Sequence, residues 1–568
     1  MNHPPQETDT MHAHPNPRTT VAGLCAAAVG LAALAVTAGA TPASAHGNTS
    51  PTVVKTFTTM SADQEIAVLG NRFLFAAEAE TGGLEPFISD GTAAGTTMLK
   101  DLAPGAGDSS PAEFTRVGSR VYFVATTFPA GRELWVTDGT AAGTSLVENI
   151  HPGAGGSSPG ELTAFGDRLL LKATDGFHGS ELWTSRGTEA TTELVEDLTP
   201  GVNGSIISDI TAAHGVAFLH TFTPGVGSEL VRTDGTDGGT QFIDIVPGVK
   251  SSAPEEITHL AGGTVVFTAD TPDEGRELWR SNGTPAGTVL VEDATPGTAD
   301  STINDLARVG SKVFYAGTLP GKGRELLATA GTAATTGLVR DIATFSSNPT
   351  DIVDVAGRAY FVAETQGSGR ELYTSDGTES GTVKVEEIAA GTDNGVVGPL
   401  VANGRFLAFG GDTAATGTEP WVSNGTAGGT DQVKDVVPGN QGSAQALVAV
   451  GPRVVFRTLV EGKPTLVAHD VQGWFTVDAA TPKITKKTKG KLRAGSKLAA
   501  KAGSWEPGAS LTFRWLRNGK PIAGATKTTY QVKKADRGKK IRVRVTGALA
   551  GHNPVERTSS ATGKVTKG

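Results

Sequence analysis

Cysteine is nearly absent: the 568-residue chain has one, Cys25, inside an apolar leader. Leu24 precedes it, where a lipid-modified cysteine takes a small residue. Once the leader is removed no thiol remains, which excludes disulfides, cysteine-ligated zinc and a cysteine nucleophile. Stability then falls to core packing. Aromatic residues are sparse at 6%, and the 11 histidines are scattered. His214 and His220 lie on one strand face, six residues or ~20 Å apart, too far to share an ion. After residue 40 there is no long apolar run, so nothing further along reads as a membrane span. There is no His-Glu-x-x-His pair, phosphate loop or EF-hand pattern. Those gaps exclude the commonest zinc-protease, nucleotide and calcium motifs. Asp273-Glu274 reads as a solvated acidic turn, with calcium the lesser alternative. No cofactor is expected.

The one apolar run, Val21 to Ala40, follows Arg18 and precedes Ala43-Ser44-Ala45. That layout predicts a secretory signal peptide over 1–45, cleaved after Ala45, and an extracellular or loosely surface-associated protein.

What the chain has in quantity is glycine, with 75, and proline, with 30. Both suit short strands joined by tight turns. A phrase built on Glu-Leu-Trp, Asp-Gly-Thr and Gly-Thr occurs eight times, at Glu85, Glu133, Glu181, Glu229, Glu277, Glu325, Glu371 and Glu419. The step is 48 residues, once 46. So even a period means one unit repeated and stacked. One unit parses as strands over 113–117, 120–126, 133–137 and 145–150, followed by a Gly/Pro loop at 151–160. The second strand recurs as Arg-Leu-Leu-Leu-Lys-Ala at 168–173 and Thr-Val-Val-Phe-Thr-Ala at 264–269, apolar on both faces. A sheet apolar on both faces must be covered on both. Blades packed flank to flank do this, so the predicted fold is all-β: a multi-bladed β-propeller of eight or nine four-stranded blades. The ninth would be a worn copy at 453–470, with Thr465 and Val467 in the Glu and Trp slots. Val53 to Thr58 would pair into it and close the ring. An open superhelix is the alternative.

Within the repeat, Gly139 supplies positive φ, and Thr140 and Thr144 offer hydroxyls to the turn. Trp135, Trp183, Trp279 and Trp421 occupy a slot also filled by Phe87, Val231, Leu327 and Tyr373, which marks it as packing. The eight glutamates are read as structural and hydrogen-bonded from a neighbouring blade. A ring of glutamates around an opening is the other reading.

Charge divides the chain. Residues 481–568 hold 22 lysines and arginines against three acids, a net of +19. Residues 1–480 therefore carry −28 of the chain's total of −9. This predicts a propeller over 46–479 and a separate basic domain over 480–568.

The phrases resemble the ELWxxDGT repeat of exported bacterial proteins, over about 53–478. The resemblance implies a propeller-like fold and an extracellular location, and carries no activity or site residues. The stretch Ser504 to Gly547, with Trp515, Asn518-Gly519, Tyr530, Asp536 and Gly538, resembles a bacterial immunoglobulin-like β-sandwich. That resemblance implies display, spacing or adhesion. Together these readings lead to a non-catalytic binding or adhesion protein. Loops at 151–160, 200–205 and 247–254 would meet a glycan or surface protein, and residues 481–568 would hold anionic envelope polymers. Nucleic acid is disfavoured. The alternative is a polysaccharide hydrolase or lyase with its site in the propeller funnel, though no residue stands out as catalytic.

Overall fold

The computed structural model describes residues 51–566, except 62–65, 80–81, 404–405, 441, 472–478, 487–489, 506–508 and 549–553. The predicted signal peptide, Ala45 and Cys25 lie outside the described residues.

Nine antiparallel sheets of four principal strands follow one another along the chain. Blade two is Ala112–Val117, Arg120–Thr127, Gly131–Thr137 and Ser145–Leu146. Its outgoing strand is shorter than the predicted 145–150, though Val147 N–H still donates across to the Leu134 carbonyl of the third strand at 2.9 Å. Blade nine is Gln445–Val450, Arg453–Val460 and Lys463–Asp470, completed by the N-terminal strand Thr52–Thr56. The first and last strands of the propeller thus share one sheet and fasten the ring.

Nine apolar clusters lie between neighbouring blades. Phe123, Leu74 and Trp135 share the one between blades one and two, and Leu134, Leu169 and Trp183 the next. The ninth joins Val455 and Leu466 of blade nine to Phe73, Phe75 and Phe87 of blade one, so the propeller is closed. Trp135 faces the preceding blade and Leu134 the following one, as alternating side chains on a strand must. Each fully buried Phe or Leu contributes roughly 1.5–3 kcal/mol. Arginine side chains add directional ties. Arg72 and Arg168 donate to the Gly139 and Gly235 carbonyls of the next blade, each at 3.1 Å. Arg453 donates to Asp90 O at 3.1 Å and so repeats the tie across the closure.

The Asp-Gly-Thr turn is a small hydrogen-bonded knot. The Asp138 carboxylate accepts from Thr140 N at 2.9 Å and Thr140 Oγ1 at 2.7 Å, and Thr137 and Thr144 share a hydroxyl bond of 2.7 Å. Gly139 has φ +86°, and a Cβ there would lie 2.8 Å from the Arg72 guanidinium. A Cβ on Gly143 would lie 2.2 Å from the Asp138 carboxylate. That contact explains an exception in the repeat. Where Arg186 and Ala330 replace the aspartate, Thr191 and Thr335 replace the second glycine. Their hydroxyls then bond Thr188 and Thr332, each at 2.8 Å.

The basic C-terminal region forms two small sheets. One holds Lys483–Lys486, Lys497–Lys501 and Thr529–Gln531; the other holds Ser510–Arg517, Lys520–Pro521, Ile541–Ala548 and Val555–Thr558. They enclose a core centred on Trp515, which stacks on Tyr530. Buried Asp536 accepts from Arg517 Nε, Tyr530 OH and Lys533 N.

The turn geometry predicts coupling between two positions. Gly143→Thr alone should cost ~1–3 kcal/mol through overpacking. Combined with Asp138→Ala, most of that cost should vanish, leaving at least ~1 kcal/mol of favourable coupling in a denaturation cycle. Additive effects would refute this account of the exception.

Candidate functional site

The repeated glutamates line no opening. Glu85, Glu133, Glu181, Glu229, Glu277, Glu325, Glu371 and Glu419 are all buried. Each reaches the loop that leads out of its own blade. Glu133 accepts from Ser157 N at 2.7 Å, from Ile150 N at 3.3 Å and from the Ser157 hydroxyl. Ser109, Ser205, Ser252, Ser301 and Ser347 give their hydroxyls to the other glutamates in the same way. Near Glu371 and Glu419 the serine is replaced by Gly395 and Gly442, and backbone N–H groups donate there. Burial pushes Glu181 and Glu419 up to about 7. The predicted ligand loops at 151–160, 200–205 and 247–254 carry Ser157, Ser205 and Ser252. A buried carboxylate therefore holds each in place.

A second set of acids, missed in the sequence, does face the axis. The innermost strands of neighbouring blades abut: the Thr115 hydroxyl donates to Leu162 O at 2.9 Å, and that of Thr211 to Ile257 O at 2.8 Å. At a bulge in six of these strands an acid takes positive φ: Glu113, Glu161, Asp209, Glu256, Asp305 and Asp351, with φ of 55–57°. A left-handed conformation costs a side-chain-bearing residue about 1 kcal/mol or more. The carboxylates offset it by bridging blades. Glu161 accepts from Asp209 N at 3.1 Å, and Asp209 accepts from Ile257 N at 2.8 Å. The sequence signal was an acid before an apolar residue, once per blade: Glu-Phe-Thr at 113, Glu-Leu-Thr at 161, Asp-Ile-Thr at 209 and Glu-Ile-Thr at 256.

This acidic arc is not uniform. In blades six and seven an arginine at the head of the third strand neutralises the acid: Arg324 lies 3.3 Å from Asp305, and Arg370 lies 3.4 Å from Asp351. In blade five Arg276 pairs with Glu255 at 3.2 Å. In blades three and four, serines 180 and 228 hold that position. There the second strand supplies Lys172 and His220 instead. Lys172 is 3.6 Å from Glu161 and donates to Ile207 O at 3.2 Å. His220 Nδ1 is 3.3 Å from the Ser208 hydroxyl, while its buried Nε2 has no partner among the described residues. Burial lowers the His220 pKa, so the ring is neutral at neutral pH. Burial, helped by the carboxylates of Glu256 and Glu161, pushes Asp209 up to about 6. Across the axis, blades seven to nine present a recess of about 320 Å³ lined by Ile352, Val353, Pro399, Leu400 and Leu447, with Asp351 at its edge.

Because successive strands are antiparallel, interblade loops and the turns between second and third strands share one end of the ring. That end carries exposed apolar side chains: Phe128 (94% exposed), Phe177 (74%) and Phe222 at successive blades, with Val202 and Val249 in the loops. The bulges carrying Glu161 and Asp209 open toward the same end. Among the described residues no group of three or more His, Cys, Asp or Glu is placed to hold a metal ion. The Asp273-Glu274 turn is closed by the Thr271 hydroxyl, which donates to Glu274. No helix among the described residues is long and apolar enough to cross a membrane.

No family model matches the chain, and no curated protein sequence matches it. Solved structures do. Puromycin hydrolase aligns at 16% identity and TM-score 0.33, over 62% of this chain and 58% of that one. A puromycin-hydrolyzing peptidase of Mycobacterium tuberculosis aligns at 10% identity and TM-score 0.38, over 72% and 61%. The β-propeller domain of the Trilobed protease of Pyrococcus furiosus aligns at 13% identity and TM-score 0.32, over 56% and 96%. The chain spans less than two thirds of the hydrolase it matches. Likeness at this level concerns the fold. It nonetheless corrects the expectation of a non-catalytic binding or adhesion protein. That expectation rested on finding no residue that stands out from the repeat as catalytic, whereas the solved structures that the chain matches include those of hydrolases and peptidases.

Two outcomes follow for the buried glutamates. Glu133→Ala strips acceptors from several buried donors and should cost about 3 kcal/mol or more, against ~1–3 kcal/mol for Ser157→Ala. Denaturant titration measures both; equal small losses would contradict the anchoring role. Glu181 and Glu419 have folded pKa values above the unfolded one, so the folded state keeps protons that the unfolded chain has released. Stability from these groups is therefore greatest below about pH 4.5 and falls as pH rises to about 7. Glu181→Gln and Glu419→Gln should flatten that fall.

Proposed function

We propose that the protein is an exported hydrolase of an extended polysaccharide, acting at the axial mouth beside blades three to five. One observation carries this reading: adjacent carboxylates, Asp209 and Glu161, sit in unlike environments where the repeat loses its arginine. Glycoside hydrolysis needs such a pair, one carboxyl protonated and one charged. Asp209, pushed up to about 6, is the general acid that gives its proton to the leaving oxygen. Glu161, ion-paired to Lys172, accepts the proton of the attacking water, so one water is added across the broken bond. His220 and Ser208 form the polar wall beside them and position the substrate. Phe128, Phe177 and Phe222 offer apolar faces along which a chain of sugar rings can lie. Export rests on the leader at 1–45, and the ELWxxDGT resemblance favours the same location.

The test is a hydrolysis screen of glycans, with peptides alongside, on the purified chain. Turnover should fall as pH rises through about 6, because the acid must keep its proton. Asp209→Asn and Glu161→Gln should each lower kcat by about 10²-fold or more while leaving the unfolding midpoint little changed, and the Asn variant should lose that alkaline limb. No glycan turnover by the wild-type chain, or turnover untouched by both variants, would refute the proposal. Cleavage of peptides alone would move the substrate class.

A further inference from the structure

On the outer face of the C-terminal four-stranded sheet, Arg514 and Arg544 stand directly opposite each other on paired strands. Arg542 lies two residues along on the same face, opposite Leu516. Like charges facing across a ladder destabilise a sheet. The one acid on this face, Glu556, pairs with Arg544 at 3.2 Å and also accepts from the Thr546 hydroxyl. Arg514 has no ion pair among the described residues and is exposed. Thr512 and Thr546 form the next cross-strand pair and continue the face with hydroxyl donors. A shallow groove runs over these residues: Arg514, Arg544, Thr512 and Thr546 supply its donors, Glu556 lies in it beside Arg544, and Phe513 and Pro521 add apolar surface.

We infer that this face binds a phosphate- or sulfate-bearing polysaccharide or polyol polymer. Guanidinium forks match tetrahedral oxyanions in two-bonded geometry, and two forks side by side suit successive anionic groups of a chain. The region's net +19 supplies long-range attraction, and the groove supplies the place where it becomes short-range contact. Nucleic acid fits less well. Single strands need aromatic platforms for successive bases, and Trp515 and Tyr530 are buried in the core, which leaves half-buried Phe513 as the one aromatic ring at the groove. This binding face is independent of the axial site, so neither proposal depends on the other.

The experiment measures full-length protein binding to dextran sulfate and to poly(glycerol phosphate) across a salt series, with single-stranded DNA as a third probe. Arg514→Ala with Arg544→Ala should lower affinity at least tenfold and reduce the slope of log K against log salt by about two. Removing the same charge outside the sheet, at exposed Lys527 and Lys534, should cost less than a third of that loss in log affinity. Arg514→Lys with Arg544→Lys keeps the charge and the fold, and should still lose several-fold if the fork geometry matters. Equal losses for the arginine and lysine pairs, no binding by the wild-type chain, or DNA held more tightly than both polymers would each overturn the inference. Preference between sulfate and phosphate chains identifies which oxyanion the face accepts.

Discussion

A carboxylate removed from water must be met by donors, and eight blades of this ring are built around that requirement. The glutamate of each Glu-Leu-Trp segment lies in a strand too buried for solvent to serve it. Its partners come from the loop leaving the blade, most often a serine about two dozen residues on. The bond thus fixes where one blade ends and the next begins. Apolar flanks then determine how closely the next blade approaches. Without the anchored loop, flank packing alone would tolerate sliding, since neighbouring apolar faces are chemically alike. With it, register passes from blade to blade around the ring until Thr52–Thr56 completes the ninth sheet.

The loudest residues in the sequence made the scaffold legible. A 48-residue period with strands apolar on both faces leaves little choice except sheets stacked about an axis. The worn last copy could be placed because a spare strand, Val53 to Thr58, was available to complete it. The serine partners stayed hidden because they sit in Gly/Pro loops where a lone serine is unremarkable. The link between Asp138 and Gly143 was equally unreadable. It depends on a carboxylate folding under the turn into the space a side chain would fill, and only the paired exceptions at Arg186–Thr191 and Ala330–Thr335 expose it.

The axial acids were missed for a different reason. Glu161 and Asp209 each lie in a strand that mixes buried and half-buried positions, where one acid reads as the solvent face of the pattern. Their significance comes from positive φ and from the neighbouring blade's N–H groups, neither of which a linear reading reveals. Strong periodicity also misled. Residues retained in every copy drew attention to structure, while chemistry depends on residues that differ between copies.

A ring of equivalent blades gives every position on its wall the same neighbours, and identical carboxylates facing one axis would simply repel. Arginines at the head of the third strand relieve this in blades five to seven by pairing with the nearest acid. Blades three and four carry serines there, so Asp209 has no ion pair among the described residues and burial pushes it up to about 6, while Lys172 serves Glu161. Symmetry is broken on one arc, and the exposed phenylalanines at 128, 177 and 222 lie over that same arc. The recess of blades seven to nine faces it from across the axis. The two sides of the mouth therefore differ in how their acids are held: Asp209 has no ion pair among the described residues, whereas Asp351 at the recess is paired with Arg370. No single repeat could supply that difference.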